Sequence, residues 1–220
     1  MLDKIFVKFY GDLPYNRKEI LRYAGVRSET EEISALLDEC IGEYTASFKV
    51  CYREFPVSEA GETLDLTFAK TDSKSLKINL NGCKSIILFA ATAGIETDRL
   101  IAKYSRIAPS KLVMLQAIGT ERIETLCNAF CDDFAAEIKE KGLFTRPRFS
   151  PGYGDLPLEL QKDIFSVLDC HRKIGITLND NLFMSPSKSV TAIMGISNTQ
   201  CRKRSEMCEY CEKTDCRLRG

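Results

Sequence analysis

The sequence predicts an α+β fold, with an antiparallel or mixed twisted sheet and flanking helices. Stretches at 47–57, 64–68 and 76–80 alternate in polarity or carry β-branched and aromatic residues, as strands do. Asn81-Gly82, after the third stretch, is a hairpin signal. Helical patterns elsewhere do not alternate strictly with strands, as a parallel sheet would require. With 220 residues and 44% hydrophobic content, the chain can bury a core in one large domain or two small ones.

The first elements are a short strand and two helices. IFVKF at 5–9 predicts the strand. Asn16 is placed to cap a helix that stops at Gly25. Ser28 and Glu31 have the spacing of a capping box and predict that the second helix begins at Ser28. Its apolar stripe comprises Ile33, Leu36, Leu37 and Cys40.

The middle of the chain predicts a buried strand followed by two helices. The run CKSIILFAATAG predicts a central strand, which Gly94 ends. One helix then ends before Pro109, and a second runs from 110 to 141 and stops at Gly142. Gly119 inside it costs about 1 kcal/mol relative to Ala unless something approaches closely. The inner stripe of this helix comprises Ile123, Leu126, Cys127, Phe130, Phe134 and Ile138.

The last part predicts a helix opened by Pro157 and two closing strands, GITL and SVTAIMGIS. His171 lies at a helix end beside two further basic residues, where a cation favours the helix dipole, so we expect a structural role. We divide the chain into 1–82, the N-terminal helices and strands; 83–198, the core; and 199–220, a cysteine-rich tail.

Composition excludes several classes of function. Lys plus Arg equals Asp plus Glu at 31 each, which disfavours nucleic acid and anionic membranes as partners. The first residues do not predict a secretory signal, and ten cysteines fit reduced thiols, so we expect a cytoplasmic protein. A single His disfavours a Ser-His-Asp triad or a multi-His metal site. The sequence contains no Rossmann or P-loop glycine motif.

RFSPGYGDLP, at 148–157, is the main candidate site. Arg148 offers a rigid fork of donors suited to a carboxylate. Pro151 and Gly152 predict a fixed corner, and Tyr153 adds a flat ring with a polar tip. Such a turn can hold an amino-acid carboxylate beside a planar base. The alternative is a tight connection between helices in which Arg148 pairs with a surface acid.

This loop resembles the S-adenosylmethionine-binding loop of the activation domain of cobalamin-dependent methionine synthase, which has the pattern R-x-A-P-G-Y-P-x-x-P. Downstream, GITLNDNLFMSPSKSVTAIMGISN is similar to the family's G-x-x-L-T-E-S-x-x-M-x-P-x-x-S-V-S segment. Upstream, AATAGIETDRLI and AIGTERIETLCNAF resemble stand-alone members of the family. The similarity covers most of residues 85–198.

The resemblance implies a role for each matching residue. Arg148 would bind the carboxylate of S-adenosylmethionine, and Glu124 could bind its amine. Ser150 would direct its backbone to the adenine, and Pro151 with Gly152 would form the corner and permit close approach. Tyr153 would lie near the sulfonium and the reacting methyl group. Two departures stand out: Gly154 replaces the family's second loop proline, and the family's N-terminal acid has no evident counterpart.

The family's activity is reductive reactivation: a redox donor reduces cob(II)alamin, and methyl transfer from S-adenosylmethionine then traps the cobalt as methyl-Co(III). The resemblance therefore implies a role in methionine biosynthesis, with cobalamin held by a separate corrinoid protein or by a methionine synthase that lacks its own activation domain. Two alternatives are a non-catalytic module that binds S-adenosylmethionine or a partner through a metal-binding tail, and a methyltransferase with another acceptor.

The tail contains a second constellation, Cys201, Cys208, Cys211 and Cys216, spaced C-x6-C-x2-C-x4-C. Four thiolates around a C-x2-C unit suit tetrahedral zinc or an iron–sulfur cluster, and a tail of reduced thiols is the alternative. Cys127 and Cys131 lie one helical turn apart near Glu124, so they could ligate a metal, but a core-lining role is the stronger interpretation.

Overall fold

The structure is a computed structural model that describes residues 4–200. Its strands are β1 (Phe6–Phe9), β2 (Lys49–Pro56), β3 (Ser58–Ala60), β4 (Thr63–Asp65), β5 (Lys70–Thr71), β6 (Cys83–Thr92), β7 (Phe144–Thr145), β8 (Thr177–Leu178), β9 (Met184–Ser185) and β10 (Ser189–Ser197). Its helices are α1 (Arg17–Tyr23), α2 (Glu31–Glu43), α3 (Lys74–Asn79), α4 (Glu96–Tyr104), α5 (Pro109–Lys139), α6 (Leu160–Leu168) and α7 (Cys170–Ile174).

One antiparallel sheet organises the molecule. Its strand order is β1-β2-β6-β10-β7, so the apolar run at 83–92 is central, as predicted. Alternate side chains of β6 point to opposite faces because the strand period is two. Leu88 faces a core shared with α6 and α7, whereas Phe89 faces a core shared with α5. The α+β prediction, with an antiparallel sheet and flanking helices, is therefore confirmed.

The long helix α5 covers one face of this sheet. All six residues of its predicted stripe lie in or against the core beneath it. Phe130 packs on Phe89 with ring centroids 4.9 Å apart. The first half of α5 instead contacts the N-terminal helices, where Ile20 and Leu37 are fully buried. Both the N-terminal segment and the core segment thus contribute to the same layers.

A buried ion pair fastens the N-terminal segment to α5. Arg122 and Glu121 are 1% and 2% exposed, and their side chains lie 2.7 Å apart. Arg122 donates to the backbone carbonyls of Leu13 and Pro14, and Glu121 accepts from the N–H of Asn16. Asn16 also caps α1, as predicted, by accepting from the N–H of Glu19. These contacts fix the path of the chain between β1 and α1.

Three local predictions are wrong. Helix α2 begins at Glu31 rather than Ser28, because the Thr30 side chain caps it by accepting from the N–H of Ile33. The stretch at 76–80 is helical rather than a strand, because Ser73 caps α3. Asn81-Gly82 therefore joins a helix to β6 and forms no hairpin.

No helix among residues 4–200 combines the length and the hydrophobicity needed to cross a bilayer.

Candidate functional site

The predicted corner is an extension of the sheet edge. After β7, Phe149 exchanges two backbone hydrogen bonds of 2.8 Å with Ile193 of β10. The chain then leaves the sheet at Pro151, which has no N–H to continue the ladder. Gly152 adopts φ +88° and donates to the carbonyl of Leu156 at 2.9 Å. Side-chain-bearing residues rarely adopt this conformation, so the glycine fixes the turn.

The outer side of the corner presents a ring to solvent. Tyr153 is 62% exposed, and its N–H donates to the carbonyl of Ser150 at 3.2 Å. A Cβ on Gly152 would lie 3.2 Å from Leu158, so the turn is closely packed beneath. Ser150, Pro151, Gly152 and Tyr153 thus form one rigid unit, as the loop sequence indicates.

Arg148 and Glu124 meet where this unit passes α5. The Nη2 atom of Arg148 lies 2.5 Å from Oε2 of Glu124, and the side chains are 25% and 39% exposed. The Nη1 atom of Arg148 is buried and has no hydrogen-bond partner within the described part of the chain. An unsatisfied charged donor is costly, by roughly 1–3 kcal/mol or more. The guanidinium is therefore only partly satisfied by its own protein.

Two thiols lie close to the guanidinium. Burial raises the pKa of Cys127 far above its ordinary value and that of Cys131 to about 11, although the charge of Arg148 opposes both shifts. Cys127 is fully buried in the α5 core, and Cys131 packs against that core. No cluster of three His, Cys, Asp or Glu residues within 4–200 could hold a metal ion. The core-lining interpretation of this pair is confirmed.

Asp155 ties the loop to α3, and the sequence analysis missed it. Its carboxylate accepts from the Ser73 hydroxyl and from the backbone N–H groups of Lys74 and Ser75, at 2.5, 2.7 and 3.1 Å. Burial tends to raise the pKa of Asp155, but these hydrogen bonds outweigh it and lower the pKa to about 2. Asp155 and Ser75 are 80 positions apart, so the sequence carries no local signal that this acid lies at a helix N-terminus.

The segment before β10 lies against α4 and α5. Asp98 of α4 accepts from both the N–H and the hydroxyl of Ser187. Lys188 donates from Nζ to Oγ1 of Thr120 at 3.0 Å. The sequence analysis recognised this segment but gave Lys188 no role. Its signal would have been a charged residue within an otherwise small and polar motif.

The end of α1 completes the surroundings of Glu124. Burial, followed by the nearby Glu124 carboxylate, raises the pKa of Tyr23. Tyr23 is 38% exposed, so its ring lies at the surface near Glu124. The structure thus brings together Arg148, Glu124 and the corner at 150–153. The tail residues Cys201, Cys208, Cys211 and Cys216 lie outside the described residues.

A separate cavity lies on the other flank of α5. Its volume is about 270 Å³. Arg122 lines it, and residues two apart on a helix point in nearly opposite directions, so this cavity is distinct from the Arg148–Glu124 pair. The remaining lining residues are Asp12, Tyr15, Tyr44, Thr45, Ala46 and Phe48.

Comparisons with known proteins identify a family and a similar fold. A family model described as "Vitamin B12 dependent methionine synthase, activation domain" matches residues 75–204. Among solved structures, the chain is similar to one described as "Crystal Structure of the MetH Reactivation Domain bound to AdoHcy", with 16% identity and a TM-score of 0.62. That similarity covers 87% of this chain and 78% of the other. A search of curated proteins found no match.

Proposed function

This chain belongs to the family of activation domains of vitamin B12-dependent methionine synthase, and on that premise we propose that it binds S-adenosylmethionine. We further propose that it supports reductive remethylation of cob(II)alamin. This cob(II)alamin would be held by a separate corrinoid protein or by a methionine synthase without its own activation domain. The match covers the loop, α5 and β10, which are the elements that meet at Arg148. The observation that carries the proposal is the partly satisfied Arg148 guanidinium beside a rigid corner.

Arg148 and Glu124 would bind the amino-acid end of S-adenosylmethionine, and the corner would bind its adenine and sulfonium. Arg148 would pair with the carboxylate, since its fork matches two carboxylate oxygens. Glu124, which is hydrogen-bonded to Arg148, would bind the amine of S-adenosylmethionine. The Ser150 backbone would bind the adenine, with Pro151 and Gly152 holding the turn. The exposed Tyr153 ring would lie beside the sulfonium, since a cation is attracted to an aromatic face.

Positioning is the chemical contribution of this chain. Cobalamin, bound to its own protein, supplies a cobalt(I) nucleophile once a redox donor has delivered one electron. As the methyl group leaves, the electron pair of the C–S bond stays on sulfur and S-adenosylhomocysteine remains. Tyr153 and Arg148 would hold the methyl group in line for this transfer, so no side-chain nucleophile is needed.

The tail would provide a metal site through Cys201, Cys208, Cys211 and Cys216, with zinc and an iron–sulfur cluster both compatible with the spacing. A cytoplasmic setting would suit this chemistry, because thiols stay reduced there. Within the described residues, the thiols of Cys40, Cys51, Cys127, Cys131 and Cys170 form no disulfide. Residues 83–198 would carry the ligand site, and residues 1–82 would complete the sheet and helix layers around it.

One observation favours an alternative, a non-catalytic ligand-binding or partner-interaction module. Glu124 already occupies part of the Arg148 fork, as it would in a connection that serves structure alone. A ligand must therefore compete with, or join, this ion pair.

Calorimetry tests the proposal. We expect heat of binding when S-adenosylmethionine is titrated into the wild-type chain, and about a hundredfold weaker binding by Arg148→Ala, because a charge-assisted pair is lost. Arg172→Ala, at a position where the side chain is 82% exposed, is the matched control and should bind normally. No heat from the wild type at millimolar ligand would overturn the proposal. Appearance of the methyl-Co(III) spectrum with a Co(II) corrinoid protein and a reductant would separate reactivation from the alternative.

A further inference from the structure

The side chain of Lys188 packs across α5 at Gly119, where the absence of a Cβ leaves space for it. A Cβ on Gly119 of α5 would lie 2.9 Å from Cε of Lys188 and 3.1 Å from its Cγ. Glycine inside a helix costs about 1 kcal/mol relative to alanine. The chain thus keeps a destabilising residue in its longest helix where the Lys188 stem, together with the Thr97 methyl group at 3.0 Å, crosses it.

The ammonium of Lys188 is incompletely neutralised. It can donate three hydrogen bonds, and within residues 4–200 it donates one, to the neutral hydroxyl of Thr120. Burial lowers the pKa of Lys188, which the charge of Asp98 only partly opposes. Both carboxylate oxygens of Asp98 already accept from Ser187. The ammonium therefore retains donors and charge that could serve an anion.

This cation lies one helical turn from the Arg148–Glu124 pair. Thr120, which holds Lys188, and Glu124, which holds Arg148, are four residues apart on α5, so their Cβ atoms are about 5–6 Å apart. The helix residues that hold the two cations thus lie on one face of α5, one turn apart.

We propose that Lys188 is a binding residue for the carboxylate of the amino-acid end of the ligand, acting with Arg148, an inference that rests on the proposed function. Thr120 holds the ammonium one helical turn from Glu124. The flexible stem and three donors of a lysine would let the ammonium turn from Thr120 toward a carboxylate on Arg148. The residue would therefore select ligands that carry the amino-acid end over nucleosides that lack it.

Three probes test this assignment by calorimetry: S-adenosylmethionine, S-adenosylhomocysteine and 5′-methylthioadenosine, which lacks the amino-acid end. Lys188→Met, which keeps the apolar stem, should weaken binding of the first two by the same factor, about tenfold to a hundredfold. Binding of 5′-methylthioadenosine should stay unchanged. Lys173→Met, at an exposed position, is the matched control and should leave all three affinities unchanged.

Two results would overturn the inference. One is unchanged binding of all three probes by Lys188→Met. The other is an equal loss for 5′-methylthioadenosine, which would place Lys188 at the nucleoside. Thermal unfolding of each variant separates a local effect from loss of the fold. If the wild-type chain bound none of the probes, the proposed function itself would fail, whereas normal wild-type binding with an unaffected Lys188→Met would overturn the Lys188 assignment alone.

Discussion

Arg148 donates from Nη2 to Oε2 of Glu124 across 2.5 Å, so the guanidinium assigned to a ligand carboxylate holds an acid of its own chain. The pair joins the loop to α5 over 24 positions of sequence. The Nη1 atom is buried and has no partner among the described residues, so the guanidinium holds Glu124 through Nη2. The ion pair thus fixes the direction of the guanidinium.

The sign of the Glu124→Gln effect distinguishes two roles for this acid. If Glu124 binds the ligand amine, the substitution should weaken S-adenosylmethionine binding by about tenfold or more, because a charge-assisted hydrogen bond becomes a neutral one. If Glu124 merely competes with the ligand for Arg148, binding should tighten. We expect weakening, measured by calorimetry, and Glu140→Gln at an exposed position beyond the end of α5 is the control.

The bonds of Asp155 predict an acid-sensitive link between the loop and α3. Its pKa in the folded protein is about 2, below its ordinary 3.8, so its stabilisation is complete above about pH 4 and is lost as the pH falls through about 2. Asp155→Asn should lower the free energy of unfolding at pH 7 by about 1 kcal/mol, after allowance for solvent screening at this exposed position. Near pH 2 the difference should vanish.

Urea unfolding at several pH values measures this difference. Asp180→Asn, in an exposed turn, is the control and should follow the wild type throughout. A gap between Asp155→Asn and wild type that is independent of pH would contradict the charge-based explanation.

The buried Glu121–Arg122 pair should dominate the stability of the N-terminal segment. Arg122→Met leaves Glu121 buried without its cation and frees the carbonyls of Leu13 and Pro14. Removing one partner of a buried pair typically costs about 3–5 kcal/mol, and we expect a loss of that size in denaturant unfolding. Arg99→Met, in a surface pair with Glu96, should cost less than about 1 kcal/mol. Equal losses would contradict the assigned role.

The parts of the fold that sequence could predict are those with a local signal. The apolar run of β6 and the stripe of α5 repeat with the periods of a strand and a helix, so neighbouring residues suffice to identify them. The helix α3 could not be recognised in this way. Its cap receives support from Asp155, about 80 positions away, and its apolar residues also fit a strand.

The candidate site divides along the same line. The turn at 150–153 follows from proline and glycine, which act on their own backbone. The partners of Arg148 and Lys188 depend on which face of α5 meets β10, and that is a property of the packed layers. The sequence therefore indicated Arg148 as a candidate site residue. It did not indicate that Arg148 pairs with Glu124, or that Lys188 lies near Thr120.

The four tail cysteines predict metal binding. The chain purified without oxygen should carry about one zinc ion or one iron–sulfur cluster, and Cys208→Ser with Cys211→Ser should lose it, since the C-x2-C unit supplies half of the ligands. Elemental analysis and the visible spectrum distinguish the two metals. Cys40→Ala, a change in the helical core, is the control. A metal-free wild type would leave the tail as reduced thiols.

Gly119→Ala tests whether α5 has glycine instead of alanine, the residue of highest helix propensity, because Lys188 needs the space. Alanine should add about 1 kcal/mol to helix stability, but its Cβ would overlap Lys188 and approach the Thr97 methyl group at 3.0 Å, and overpacking typically costs about 1–3 kcal/mol. We therefore expect net destabilisation in denaturant unfolding, together with weaker binding of S-adenosylmethionine because the ammonium is displaced.

In a Lys188→Ala background the destabilisation caused by Gly119→Ala should shrink by about 1 kcal/mol, which a double-mutant cycle measures. Gly42→Ala is the matched control, because a Cβ there meets nothing within 4 Å, and it should stabilise the protein. Additive effects of the two substitutions would mean that Gly119 and Lys188 are not coupled, and that the helix tolerates its glycine for another reason.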